Sequence, residues 1–344
     1  MELGIKLGEP IPLLEEQCKP IFVVGMNGSG TSMLADCLGQ HPNLFATPWE
    51  TKLIPYLMVN ISKYGDLNDN ENFLSLWKTV LDIPEFTRMN AWSPLCLPMN
   101  WQEFPRDLSS VIDAVFRSIS LKQNKQRWAE KTPQYIQHLN GLSELFPGAK
   151  FIHIIRDGRD CAASFHRRWK RTPEHTIYRW KRVLQEGNLQ SAKLGDRYFQ
   201  LKFEDLTASP EKWLRQICDF VGLPFDESVL RSNQPQKEGV VMGTVGEIQP
   251  NSEKWKSYFN EKQIKALEKI AGESLSSNGY WVKYELGNKD PNVVLRLFWK
   301  WRDAFRELYD VGMKKLSGQR KKVPWSRIFN HILTSIKQAR INKF

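Results

Sequence analysis

Long apolar runs are missing from this 344-residue chain. None approaches the roughly 18 consecutive apolar residues of a membrane-spanning helix. Cysteine is scarce. The five residues Cys18, Cys37, Cys96, Cys161 and Cys218 are odd in number, scattered, and form no C-x-x-C. That pattern argues against a disulfide framework or a zinc site, and reads as reduced thiols in a cytoplasmic protein. The six histidines form no H-E-x-x-H, and no metal is expected. The N-terminal segment has no basic stretch leading into an apolar run, so no signal peptide is expected. There is no internal repeat and no low-complexity tract. What is present is ordinary for a globular chain: 41% hydrophobic and 25% charged residues, which excludes a disordered, collagenous or fibrous protein. Aromatics reach 12%, with 13 tryptophans, enough for a sizeable core.

The net charge of +11 is unevenly spread. Residues 289–344 hold 14 Lys and Arg against 4 Asp and Glu. The first 288 residues are therefore close to neutral. A uniformly basic nucleic-acid surface is not the pattern, and no nucleic-acid partner is expected.

Residues 20–25, PIFVVG, are a β-branched apolar run ending in Gly and read as a buried parallel strand. A helix follows from Ser29 to Gln40. Residues 150–155, KFIHII, repeat the strand pattern, followed by a polar RDGRD loop and a helix from about Cys161 to Arg171. Residues 197–202 read as a third strand and 210–221 as an amphipathic helix. Strands alternating with helices predict parallel βαβ units. Residues 49–126 read as a helical insertion, and 235–252, rich in Gly, Gln and Pro, as a long functional loop.

The most informative stretch is VVGMNGSGTSML, residues 23–34. Gly25, Gly28 and Gly30 let the backbone curl so that N–H groups point at an anion, and the next helix adds its dipole. From Gly25 the spacing is that of a Walker A loop, but Thr31-Ser32 stands where Lys-Ser/Thr belongs. Without the lysine that reaches the β- and γ-phosphates, the loop suits a shorter anion than ATP or GTP carries.

This loop resembles the 5′-phosphosulfate motif of sulfotransferases that use 3′-phosphoadenosine-5′-phosphosulfate (PAPS). Residues 41–56, HPNLFATPWETKLIPY, resemble the segment that follows it in protein-tyrosine sulfotransferases and their bacterial relatives. Residues 145–169, LFPGAKFIHIIRDGRDCAASFHRRW, are similar to the family's 3′-phosphate-binding strand, loop and helix. Residues 201–224 are similar to a later strand and helix. The resemblance implies an α/β, P-loop-like three-layer fold with a central, mostly parallel sheet. A sulfotransferase domain would span 1–288, with a basic amphipathic helical extension over 289–344.

The same resemblance implies roles. Asn27, Gly28, Ser29, Gly30, Thr31 and Ser32 would hold the 5′-phosphosulfate. Arg156 and Ser164 would hold the 3′-phosphate, although Arg156 could instead pair with Asp157 or Asp160. Asp157 and Arg159 would shape the loop. Glu50 matches the general base of the tyrosine enzymes, with His41 and His166 as competing bases and a helix-start role as the alternative. Lys131, in WAEKTPQY, matches a catalytic lysine that neutralises the leaving oxygen. Ser252, Lys254 and Trp255 resemble the segment that closes over the nucleotide, and Trp255 alternatively anchors the loop to the core. Two positions depart from the pattern. Gly28 replaces a customary Arg or Lys, and Phe203 replaces a hydroxyl-bearing aromatic.

Residues 293–309 and 323–339 are amphipathic and basic. They would pack on the body or a second subunit, or dock on an anionic membrane or a carrier protein. The expected reaction is PAPS-dependent transfer to a hydroxyl or amine of an unspecified acceptor, leaving PAP. The alternatives are a non-catalytic nucleotide-binding protein and a P-loop small-molecule kinase.

Overall fold

The computed structural model describes residues 6–13, 19–52, 54–81, 95–232, 248, 250–284 and 286–316. The main elements in chain order are β1 (Ile21–Gly25), α1 (Thr31–Gly39), β2 (Leu44–Ala46), α2 (Ile54–Asn60), α3 (Asn70–Leu81), α4 (Leu108–Lys122), β3 (Arg127–Lys131), α5 (Leu139–Leu145) and β4 (Lys150–Ile155). There follow α6 (Gly158–Trp169), α7 (Pro173–Ser191), β5 (Tyr198–Lys202), α8 (Phe203–Ala208), α9 (Pro210–Val221), α10 (Trp255–Tyr258), α11 (Glu261–Ser277) and α12 (Val293–Leu316). The chain divides into two compact units. Residues 1–26, 30–155 and 189–249 form the first, and residues 27–29, 156–188 and 250–344 form the second.

The first unit is built on a five-stranded sheet of order β2-β3-β1-β4-β5. Every neighbouring pair is parallel. All five residues of β1 are buried, as expected of a parallel strand covered on both faces. Alternation sorts its side chains. Ile21 and Val23 join the cluster containing Leu34 and Leu38 of α1 and Leu214 and Ile217 of α9. Phe22 points to the other face, where it stacks on Phe151 at 5.5 Å and meets the edge of Trp128 at 6.0 Å. Phe116 of α4 stacks on Trp128 at 4.4 Å.

Two strands were not legible as apolar runs. β2 is three residues long, and β3 is RWAEK. In β3 the last four residues are buried despite Glu130 and Lys131, because both polar side chains find partners inside. α4 starts at Asp107, whose carboxylate accepts the Ser110 N–H at 2.8 Å.

In the second unit, α6 starts at Gly158, three residues earlier than the sequence reading. The RDGRD segment is thus a two-residue link, Arg156 and Asp157, followed by the first helical turn. Asp157 is the N-cap, its carboxylate accepting the Arg159 N–H at 2.8 Å, which lets helix begin inside a segment read as loop. Arg159 is buried. It pairs with Asp157 at 2.7 Å and Glu268 of α11 at 2.8 Å, and donates to the Trp281 carbonyl at 2.8 Å. Asp157 and Arg159 therefore do shape the loop. α12 buries Trp299 and Asp303. The Asp303 carboxylate accepts from Thr172 N at 3.0 Å and Thr172 Oγ1 at 2.8 Å, and pairs with His175 at 2.9 Å. Its opposite side leaves Val294, Trp301 and Phe305 about three-quarters exposed, at 76%, 74% and 74%. The expected second C-terminal helix, 323–339, and most of the expected loop 235–252 lie outside the described residues. Among the described residues, no helix is long and apolar enough to cross a membrane.

Candidate active site

α1 begins at Gly30, which sits in the left-handed region with φ 104°. A Cβ there would collide with the Phe203 ring, so Gly30 and Phe203 are a matched pair. No side chain caps the α1 N-terminus. Its first-turn N–H groups and positive dipole end suit an anion. Thr31 is buried and Ser32 exposed at this start.

Residues 27–29 belong to the second unit. Gly28 has φ 88°, and a Cβ would come within 3.1 Å of Phe165 Cε2. A side chain there would be strained in both backbone and packing. That explains why no Arg or Lys occupies the position in this chain. Next to it, Ser29 is 1% exposed, and its hydroxyl is buried with no hydrogen-bond partner. Such a group is costly unless a ligand meets it.

In the same unit Arg156 donates to the Gly28 carbonyl at 3.3 Å and to the Asn251 carbonyl at 2.6 Å. It also lies 3.8 Å from Asp160, so the pairing weighed from the sequence exists alongside the loop contacts. Cations converge around it. The Arg168 guanidinium is held below its usual range by burial and then by Arg156 and Arg167. The Lys254 ammonium is held down by burial, Arg167 and Arg156, with Asp160 opposing. Clustered like charges of this kind suit an anion. Ser164 is buried on α6. Asp160, itself pushed up by burial, accepts the Trp255 N–H at 2.9 Å. Trp255 is buried with the Arg159 guanidinium 3.8 Å over its ring, and Ser252 is half-buried. The sequence reading did not single out Arg167 and Arg168. They end a helix, where basic residues ordinarily serve the dipole.

The first unit brings Glu50 and Lys131 together at 3.9 Å. Lys52 lies 3.4 Å from the other oxygen of Glu50. Lys131 is almost fully buried, which pulls its ammonium below the usual range against the opposing effects of Glu50 and Glu130. Its backbone N–H donates to Thr47 Oγ1 at 2.9 Å. Glu50 keeps about a quarter of its side chain exposed (23%), so its carboxylate is within reach of solvent. α2 starts at Ile54, so Glu50 lies outside the helix it was weighed as starting. The adjacent Glu130 was missed by sequence reading. It is fully buried and pushed up to about 7 by burial, against hydrogen bonds from Thr132 and Thr51.

The competing bases are engaged elsewhere. His41 Nδ1 accepts the Asn43 N–H at 3.0 Å and Nε2 reaches the Pro224 carbonyl at 2.9 Å, so both ring nitrogens are tied to the backbone. His166 Nδ1 lies 2.7 Å from the Tyr258 hydroxyl. Among the described residues no cluster of three or more His, Cys, Asp or Glu could hold a metal ion.

The family model "Sulfotransferase family" matches residues 20–227, more than half of the chain. The chain belongs to the sulfotransferase family. The chain is 25% identical over 226 residues to protein-tyrosine sulfotransferase 1 of Danio rerio, covering 62% of this chain and 56% of that one. It is 26% identical over 253 residues to the omega-hydroxy-beta-dihydromenaquinone-9 sulfotransferase of Mycobacterium bovis, covering 59% and 63%. The chain spans about half the length of the curated relatives it matches. The sulfotransferase domain from the curacin biosynthetic pathway shares the fold, with a TM-score of 0.50 at 21% identity, covering 77% of this chain and 99% of that one.

Proposed function

We propose that the protein transfers the sulfuryl group of PAPS to an acceptor hydroxyl or amine by in-line displacement. The observation that carries this reading is the cationic cluster in the second unit: Arg156 donates to the carbonyl of Gly28, next to the unsatisfied hydroxyl of Ser29, and Arg168 and Lys254 lie within electrostatic reach of Arg156 and of Arg167. A donor with a 5′-phosphosulfate and a 3′-phosphate offers both anions that such a cradle requires.

Arg156 and Ser164 take the 3′-phosphate, the loop from Asn27 to Ser32 takes the 5′-phosphosulfate, and Ser252, Lys254 and Trp255 flank the nucleotide. Arg156 is pre-oriented by two backbone carbonyls, so little side-chain freedom is lost on binding. Glu50 takes the proton from the acceptor as the new S–O bond, or S–N bond for an amine, forms and the bond between sulfur and the bridging oxygen of PAPS breaks, leaving PAP. Lys131, already beside it, offsets charge on the leaving oxygen. Charge stabilisation and positioning supply most of the rate, as in phosphoryl transfer. The name of one relative points to a protein tyrosine and another to an omega-hydroxylated menaquinone, so both classes belong in an acceptor panel. The exposed side of α12 is where a second copy, a carrier protein or a membrane surface would dock, and reduced thiols suit the cytoplasm.

Label transfer from radioactive PAPS across such a panel tests the reading. Glu50→Gln should lower turnover by roughly 10²–10⁴-fold while PAP affinity stays unchanged. Near-normal turnover in that variant would remove Glu50 as the base.

A further inference from the structure

We propose that Glu130 is the positioning residue of the Glu50–Lys131 pair: one of its carboxyl oxygens gathers Thr51 and Thr132, the immediate neighbours of the two, and so holds the Glu50 loop against strand β3. Oε1 accepts from Thr132 Oγ1 at 2.5 Å, from Thr51 Oγ1 at 2.8 Å and from Thr51 N at 3.2 Å. Having given its only proton to Glu130, the Thr51 hydroxyl accepts from the Tyr135 hydroxyl at 3.0 Å, and that oxygen accepts the Ile54 N–H at 3.0 Å. Residues 51 and 54 are thus both tied to the segment 130–135. Between them Lys52 holds φ 55°, a left-handed conformation that an L-residue adopts only where its surroundings impose it. That turn brings the Lys52 ammonium back to Glu50.

A residue that merely filled this space would be cheaper as an apolar side chain, because a fully buried carboxyl is costly. Its second oxygen, Oε2, is buried with no hydrogen-bond partner, which marks where the proton sits when the group is neutral. The charged group that faces it is Lys131 on its own strand, which in turn faces Glu50 and Lys52 on the loop opposite. With a carboxyl pushed up to about 7, Glu130 gains its charge beside Lys131 near neutral pH.

The inference rests on Glu50 and Lys131 being the catalytic pair, but its test does not need turnover. In protein carrying isotope-labelled lysine, the Lys131 side-chain signal is titrated by NMR in the wild type, Glu130→Gln and Glu130→Ala, each with and without Glu50→Gln. The amide oxygen that Glu130→Gln introduces can still accept the threonine bonds. The Lys131 shift caused by Glu50→Gln should therefore be the same size in the wild-type and Glu130→Gln backgrounds. It should fall to less than about a third in Glu130→Ala, where the loop is released. The wild-type signal should also show an inflection near pH 7 that Glu130→Gln lacks. A full-sized shift in Glu130→Ala would overturn the proposal. Should that variant not fold, Thr132→Val replaces it and loses one of the bonds from the opposite side. Undiminished coupling there would equally overturn the proposal. Calorimetric PAP binding by each variant separates the two claims. A chain that shows the coupling but neither binds PAP nor transfers sulfate leaves the positioning role standing and removes the function proposed above.

Discussion

Replacing Arg156 by Ala removes the cation around which the second-unit cradle is arranged. Two of its N–H groups are held by the Gly28 and Asn251 carbonyls, at 3.3 and 2.6 Å. The guanidinium is thus aimed before any ligand arrives, and binding costs it little rotamer entropy. A charge-assisted hydrogen bond of this kind contributes about 1.5–3 kcal/mol. The PAP dissociation constant should therefore rise by roughly 10- to 150-fold. Arg167, Arg168 and Lys254 remain and share the anion, which favours the lower part of that range. The assay is calorimetric titration with PAP and, in parallel, with adenosine-5′-phosphosulfate, which lacks the 3′-phosphate. The variant should bind the second ligand as the wild type does. Equal weakening toward both would refute the 3′-phosphate assignment, and no weakening toward either would refute the cradle.

Ser29→Ala removes a buried hydroxyl that has no protein partner, so the ligand-free protein should gain about 1 kcal/mol in stability while PAP binding weakens by a few fold. Thermal melts with and without PAP check both signs, and a destabilised ligand-free variant would contradict the assignment. A second expectation concerns pH. Glu130 is raised from 4.5 to about 7 in the folded state, so between those values the folded chain holds a proton that the unfolded chain has lost. Stability contributed by this group is fully present below about pH 4.5 and is lost as pH rises through 7, by about 3 kcal/mol in total. Glu130→Gln should remove that slope, most visibly as a higher melting temperature than wild type at about pH 8. Parallel melting curves against pH for the two proteins would contradict the burial argument.

How much of this was legible in sequence depends on what each element asks of its residues. β1 and β4 are buried on both faces and announce themselves as β-branched runs. β3 occupies an equally buried place, yet RWAEK hides it, because its Glu and Lys find partners in Thr132 nearby and in Thr51 and Glu50 from a distant part of the chain. Glu130 was missed for the same reason. Nothing in its local pattern shows that polar groups from residues 51–54 and 132–135 will gather beside it. The Gly-rich loop and Arg156 were visible because their chemistry is local: glycines, a strand end and a helix start. Arg167 and Arg168 were not, since their meaning comes from Arg156 and Lys254. The absent cation at Gly28 becomes intelligible only once Phe165 is seen against it.

The central claim is that the chain holds a nucleotide carrying both a 5′-phosphosulfate and a 3′-phosphate. Titrating the wild-type protein with PAP, adenosine-5′-monophosphate and Mg-ATP in EDTA-free and EDTA-containing buffer tests it most directly. The account predicts saturable PAP binding that EDTA leaves unchanged, at least tenfold tighter than adenosine-5′-monophosphate, and no comparable affinity for Mg-ATP. Tight, magnesium-dependent binding of ATP with PAP excluded would contradict it.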